Sequence, residues 1–246
     1  MVSFNNAGRF GNFYMEICTA IAYALRHDLE FHAPNGSGKD PFHCPTYCHH
    51  LCNPNWNPSL PEIRLWENGH QYQPLPFEES WRDKNIIIEG YRQSEKYFKD
   101  YRREILTLLE FPYEKKEGYV SVHIRRGDYL ALRNKHPEVK TEWYERAMKE
   151  FPGYKFKFFS DDIYWVKREF KDREDCEFST NGDIVADFIE MQNCEHFINS
   201  SSTFSWAAAW HSRSENKKII TPEKWFCDGW GGLDTSDIIP ETWTKL

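Results

Sequence analysis

The sequence predicts an α/β protein whose C-terminal half is a parallel, doubly wound sheet with helices on both faces. Three observations carry this. From Gly118 onward, short apolar or aromatic runs alternate with helical patterns. The chain opens as strand, glycine loop and helix, an α/β beginning. A further apolar run, Asn85-Ile-Ile-Ile-Glu89, reads as a buried strand and is followed by another helical stretch.

Met1 to Phe4 is the first expected strand, and Gly8-Arg-Phe-Gly11-Asn12 is a flexible loop after it. Phe13, Ile17, Ala20, Ile21, Ala24 and Leu25 then mark one stripe of a helix. The two glycines suit a tight turn lining a cleft, and equally a loop whose N–H groups face a phosphate. Residues 32–84 read as irregular, being rich in Pro, Asn, His and Trp. Within them, His43-Cys44-x3-Cys48-His49-His50-x-Cys52 has zinc-ligand residue types. A structural zinc site pairs two tight knuckles, and here there is one cluster, so incidental thiols and loop histidines are the expectation. Ser94 is an expected N-cap for a helix through Tyr101, Ile105, Leu108 and Leu109. Pro112 and Glu114-Lys-Lys-Glu117 look like a hinge, which puts an N-terminal domain at 1–115 and a C-terminal domain at 116–246.

In the second domain the expected strands are Val120–Ile124, Tyr154–Phe159, Glu195–Asn199 and Lys218–Ile220. Helices are expected at Glu142–Glu150, Asp161–Phe170, Asp183–Asn193 and Thr203–Trp210. Composition narrows the function classes. A net charge of -7 argues against a general nucleic-acid binder while allowing a local basic pocket. At 40% hydrophobic and 28% charged the chain is globular in type. No run of about 18 apolar residues spans a membrane, which leaves peripheral membrane association open. The seven scattered cysteines and the absence of a signal-peptide pattern point to reduced thiols and a cytoplasmic protein.

Three strand ends carry polar groups. The first is His123-Ile-Arg125-Arg126-Gly127-Asp128, where two guanidiniums suit a diphosphate because each planar fork holds phosphate oxygens bidentately. An Arg–Asp salt bridge closing a turn is the plainer use. The second is Ser160-Asp161-Asp162, where the carboxylates could touch a ligand or cap the next helix. The third is Asn199-Ser-Ser-Ser202-Thr203, a hydroxyl-rich turn that offers hydroxyls and N–H groups to a phosphate or simply caps a helix. Asp187 lies on the helix before the third strand, where a carboxylate could accept the N1–H and N2–H₂ of guanine or merely face solvent.

Taken in this order, His123-Ile-Arg-Arg-Gly-Asp-Tyr129, Phe159-Ser-Asp-Asp162 and Cys194-Glu-His-Phe-Ile-Asn-Ser-Ser-Ser-Thr-Phe-Ser-Trp206 resemble the inverting α-1,2-fucosyltransferases of glycosyltransferase family 11. They are more remotely similar to the α-1,6-fucosyltransferases. Gly90-Tyr-Arg-Gln-Ser-Glu-Lys-Tyr-Phe98, the Gly8–Asn12 opening and Thr221-Pro-Glu-Lys-Trp-Phe226 support the match. The resemblance implies a GT-B architecture, two Rossmann-like doubly wound halves facing a central cleft. It implies GDP-fucose as donor in the C-terminal half, a galactose-containing acceptor glycan on the N-terminal half, and no metal or other cofactor. It further implies that Arg125 grips the β-phosphate, that His123 and Asp187 read guanine, and that Ser202 and Thr203 touch the diphosphate. Arg126 and Asp128 shape the pocket, with Asp161 and Asn199 beside it. Asp128 is the nearest motif carboxylate for a general base, and Glu16 and Glu95 are further candidates. One departure is Asn12-Phe-Tyr-Met-Glu16, where the family has Asn-Gln-Met-Phe-Gln.

Overall fold

The computed structural model describes residues 1–5, 8–34, 49–228, 231 and 233–246. The His43, Cys44 and Cys48 part of the cysteine–histidine cluster lies outside the described residues. The chain forms two compact units, Met1–Phe111 with Asp234–Pro240, and Pro112–Leu233 with Glu241–Leu246. Pro112 is already tied into the second unit, because the Gln192 amide donates to its carbonyl at 2.7 Å.

The first unit has a parallel sheet in the order β1 (Val2–Phe4), β3 (Asn85–Ile88), β2 (Glu62–Leu65). β2 falls inside the stretch expected to be irregular. Its alternation is only four residues long and includes exposed Glu62 and half-buried Ile63, which gives little apolar signal. Helix α1 (Phe10–Arg26) is buried along most of its length. It starts earlier than the apolar stripe suggests, so Gly11 and Asn12 sit in its first turn rather than in a loop. Phe10 packs edge-on to Phe111 at 6.3 Å, which anchors that turn. Of Gly8 and Gly11, it is Gly8, at φ +79°, that needs its glycine for conformation. Ser94 does cap, accepting the Lys96 N–H at 3.3 Å, but what it caps is a 3₁₀ turn at Glu95–Tyr97. Buried Phe98 then breaks the helical path at φ -140°, and α2 runs only over Arg102–Leu108.

The second unit has a six-stranded sheet in the order β6-β5-β4-β7-β8-β9, and every pairing is parallel. The strands are β4 (Lys116–Ile124), β5 (Lys155–Ser160), β6 (Cys176–Phe178), β7 (Cys194–Ile198), β8 (Ile219–Thr221) and β9 (Thr244–Lys245). Helices α3 (Thr141–Met148), α4 (Ile163–Glu169), α5 (Ile184–Asn193) and α6 (Thr203–His211) connect them. From β4 the chain works outward through β5 and β6, then returns to lay β7 on the other side of β4. This is the doubly wound dinucleotide-fold order, with its reversal between β4 and β7. One sheet face, from Val120, Val122, Phe156, Phe158 and Ile198, packs on Trp143, Met148, Val166 and Phe170 of the α3 and α4 side. Each such aromatic or branched side chain stabilises the unit by roughly 1.5–3 kcal/mol through removal from water. Among the described residues no helix is long and apolar enough to cross a membrane.

Candidate active site

Because all strands of the second sheet run the same way, their carboxyl ends share one edge. β4 lies between β5 and β7, so the three polar strand ends become neighbours there, beside the reversal of strand order.

Arg125 follows β4 and is largely buried between two carboxylates. Its Nη2 meets Asp128 Oδ1 at 2.5 Å and its Nη1 meets Asp161 Oδ2 at 2.8 Å. Its guanidinium also lies over the Tyr129 ring, 5.2 Å from the centroid. Asp161 binds the turn twice, since its other oxygen accepts the Arg126 backbone N–H at 2.9 Å. The Arg126 side chain turns the other way. It stacks over Trp165 at 3.6 Å and donates from Nε to Asp162 at 3.3 Å. Asp162 is the N-cap of α4, accepting the Trp165 N–H at 3.3 Å. The two adjacent aspartates therefore divide the work: Asp162 caps and Asp161 clamps Arg125.

Gly127 is shaped by that clamp. A Cβ there would lie 2.3 Å from Asp161 Oδ2. Gly127→Ala must push the carboxylate off Arg125, and overpacking of this kind costs about 1–3 kcal/mol. With the GDP-linked donor that the family resemblance implies, we expect the variant to fold while its affinity for GDP drops about tenfold or more, read by titration calorimetry. Unchanged GDP affinity would mean that the clamp has no part in binding.

At the third strand end, buried His123 shares a hydrogen bond of 2.7 Å between Nδ1 and Ser200 Oγ, and its ring packs on Phe204 at 5.5 Å. Burial first, and the Arg125 charge second, lower its pKa to about 3, so the ring is neutral. Ser202 is the N-cap of α6 and Thr203 its first residue. Ser201 takes no part in the cap; its hydroxyl donates to the Lys224 carbonyl at 2.8 Å and its own carbonyl accepts from Tyr129 OH at 3.2 Å. Asn199 is 1% exposed, and neither side-chain amide atom has a hydrogen-bond partner among the described residues. Such a buried amide costs roughly 1–3 kcal/mol until something pairs with it.

The lowered histidine has a consequence for stability. Unfolded, His123 takes a proton near its ordinary value of about 6.5; folded, it resists to about 3. Folding stability is therefore complete above that ordinary value and lost as pH falls toward the folded one. His136, lowered to about 4 chiefly by burial, acts with the same sign. We expect the urea midpoint to fall on acidification from pH 7.5 to 4.5, at up to ~1.4 kcal/mol per pH unit for each histidine. The fall should be shallower for His123→Asn, and equal slopes for the two proteins would contradict this account.

Asp187 stands apart from the arginine cluster. Its Oδ1 accepts from Ser179 Oγ at 2.5 Å and from Asn181 Nδ2 at 3.1 Å, and burial raises its pKa. Glu16 and Glu95 lie in the first unit, Glu16 fully buried within α1 and Glu95 in the 3₁₀ turn. Trp165 is a site residue that the strand-end reading does not single out, while Tyr129 and Ser200 lie inside its motifs with no contact of their own assigned. Trp165 carries a signal in sequence, three residues after Asp162 on one helix face. Among the described residues no group of three His, Cys, Asp or Glu is placed to hold a metal ion.

Comparison with known proteins follows this geometry. The family model for glycosyl transferase family 11 matches residues 79–228. An alpha-1,2-colitosyltransferase of Escherichia coli is 33% identical over 66% of this chain and 63% of its own length. The O-antigen biosynthesis glycosyltransferase WbnK of Escherichia coli is 29% identical over 51% of this chain and 44% of its own length. The chain thus spans less than two thirds of either relative. Galactoside alpha-(1,2)-fucosyltransferase 2 of Bos taurus is 25% identical over 98% of this chain and 80% of its length. In fold, a crystal structure of POFUT1 in complex with GDP superposes with TM-score 0.50 at 13% identity, covering 89% of this chain and 97% of that one. The architecture is GT-B, with an α/β unit built on a parallel sheet in each part of the chain.

Proposed function

This chain belongs to glycosyl transferase family 11, and we propose that it transfers L-fucose from GDP-β-L-fucose to O2 of a terminal β-galactoside, with inversion to an α linkage. The observation that carries the reading is the Arg125 clamp at the reversal point of a doubly wound sheet, where such folds take their ligands. Two relatives named as α-1,2 transferases support the linkage.

In this reading the diphosphate takes Arg125 from Asp128, while Asp161 keeps the guanidinium aimed. The N–H groups at the start of α6, with Ser202 and Thr203, face the same anion. His123 and Asp187 read the guanine edge, and the orphan amide of Asn199 gains a partner. As the bond between C1 of fucose and the β-phosphate oxygen breaks, its electron pair goes to the leaving GDP. Arg125 stabilises the charge growing there. The galactose O2 forms the new bond to C1 from the opposite face and gives up its proton. Asp128, released from Arg125, is the base that receives it. Arg125 supplies the charge that a divalent ion gives in other transferases, so no metal is required.

The test is incubation with GDP-fucose and a panel of galactosides, with linkage read by NMR, in parallel with excess EDTA. We expect an α-1,2 product in both arms. Loss in EDTA that manganese or magnesium restores would replace this mechanism with a metal-assisted one. The relative named as a colitosyltransferase favours a second reading, another GDP-linked sugar as donor. A donor competition panel that includes the colitosyl and mannosyl nucleotides separates the two.

A further inference from the structure

We propose that the carboxyl edge of the first unit's sheet is a carbohydrate subsite, in which Gln93 accepts a hydrogen bond from a ring hydroxyl of the acceptor sugar and Trp66 and Tyr91 flank it. This rests on the glycosyltransferase reading above and names side chains that the reading leaves unused.

The loop after β3 is held by more than its length requires. Leu65 pairs with Ile88, so Trp66-Glu67 continues alongside Glu89-Gly90. The Glu67 carboxylate accepts the backbone N–H groups of Tyr91 at 2.7 Å and Arg92 at 2.9 Å. Gly90 has φ +90°, and a Cβ there would lie 2.3 Å from the Glu67 Cβ. Arg92 is 1% exposed yet has φ +49°, a left-handed conformation that strains any residue with a Cβ. Its guanidinium donates to the carbonyls of Leu65 at 2.5 Å and Glu89 at 2.9 Å, closing the ends of both strands. Strain kept in place by this many bonds marks a loop that is held to present something.

What it presents next is Gln93, 5% exposed. Its Nε2 donates to Asn12 Oδ1 at 3.0 Å, in the first turn of α1. Gly8 admits that asparagine, since a Cβ at Gly8 would lie 2.5 Å from Asn12 Nδ2. The other end of the Gln93 amide, Oε1, is buried without a hydrogen-bond partner among the described residues. A carbonyl oxygen of this kind calls for an O–H or N–H donor. Glu67 and Glu89 belong to the same pair of strand ends, and the Arg92 cation is committed to carbonyls, which disfavours an anion and suits a neutral polyol. Trp66 and Tyr91, the residues just before Glu67 and Arg92, are 69% and 39% exposed. Exposed rings on the two segments that Glu67 ties together fit the apolar C–H face of a pyranose, and the Gln93 amide that follows them fits its hydroxyl rim.

The experiment uses the full chain and lactose as probe. Lactose binding without donor is measured by titration calorimetry for wild type, Gln93→Met and Trp66→Ala, followed by steady-state kinetics with GDP-fucose. We expect Gln93→Met to weaken lactose binding about tenfold, with KM for lactose rising likewise and KM for GDP-fucose within about twofold. Trp66→Ala removes a surface ring without touching the core, so it stays folded and should weaken lactose binding about threefold to tenfold. Equal lactose affinity in all three proteins overturns the proposal, and so does a rise in the GDP-fucose KM in place of the lactose KM. Lactose binding that depends on Gln93 in a protein that transfers no fucose supports the subsite and sinks the transferase reading instead.

Discussion

Replacing Arg125 by alanine is expected to lower kcat for the proposed fucosyl transfer by a hundredfold to a thousandfold, about 3–4 kcal/mol of transition-state stabilisation. The magnitude follows from preorganisation. The guanidinium is fixed by Asp161 before any ligand arrives, and Asp161 is fixed by the Arg126 N–H, so little reorganisation is needed as charge develops. The fold should survive, because Arg125 lies at the sheet's edge and outside the cluster of Val120, Phe158 and Trp143. The asymmetry of the clamp sharpens the test. Arg125→Lys keeps the charge and loses the fork that meets two carboxylates at once, so it should recover only part of the rate. Steady-state kinetics with calorimetric unfolding as a control decides the matter, and an Arg125→Ala enzyme within tenfold of wild type would end the account.

The largest effect on stability is expected at Arg92. Arg92→Met keeps most of the volume but takes the guanidinium from the Leu65 and Glu89 carbonyls, the first of which keeps the Glu89 N–H, and leaves the part-buried Glu67 without its neighbouring cation. Removing one member of a buried charged network costs on the order of 3–5 kcal/mol. Burial already raises the Glu67 pKa, and Arg92 holds it down. Without Arg92 the folded protein binds that proton more tightly than the unfolded chain does. The variant should therefore regain stability as pH falls through the raised value, a trend opposite in sign to that of the buried histidines. Urea unfolding at several pH values, with Glu67→Gln as the partner in a double-mutant cycle, measures both. Additive losses would show that the two side chains are not coupled.

Much of the second unit is legible in sequence because its central strands are short stretches dense in branched and aromatic residues, Val120–Ile124 and Phe156–Phe159 above all, with only Ser121, His123 and Lys157 interrupting them. Short edge strands do not announce themselves: Cys176–Phe178 and Thr244–Lys245 lack the length to show a period. At the site, the pairing of Arg125 with Asp128 can be guessed from their spacing of three. The pairing with Asp161 cannot, since it depends on β5 lying beside β4 in parallel register. The double use of Asp161-Asp162 is likewise invisible, because capping and clamping ask for the same residue type. In the first unit the Gln93 amide is tied to Asn12, a contact across 81 residues of sequence that leaves no local trace.

The return of β7 to the open flank of β4 also sets the order in which the chain can assemble. His123 meets Ser200 across a sequence separation of 77 residues, whereas β4 can zip to β5 through a single connecting helix. Closing the longer loop is the slower event, because its chain entropy must be lost before any contact repays it. Until then that flank of β4 is an unpaired, aggregation-prone edge. During synthesis that edge stays unpaired until Cys194–Ile198 emerges, so slow translation between β6 and β7 would lengthen the chain's exposure to chaperones and to its own copies.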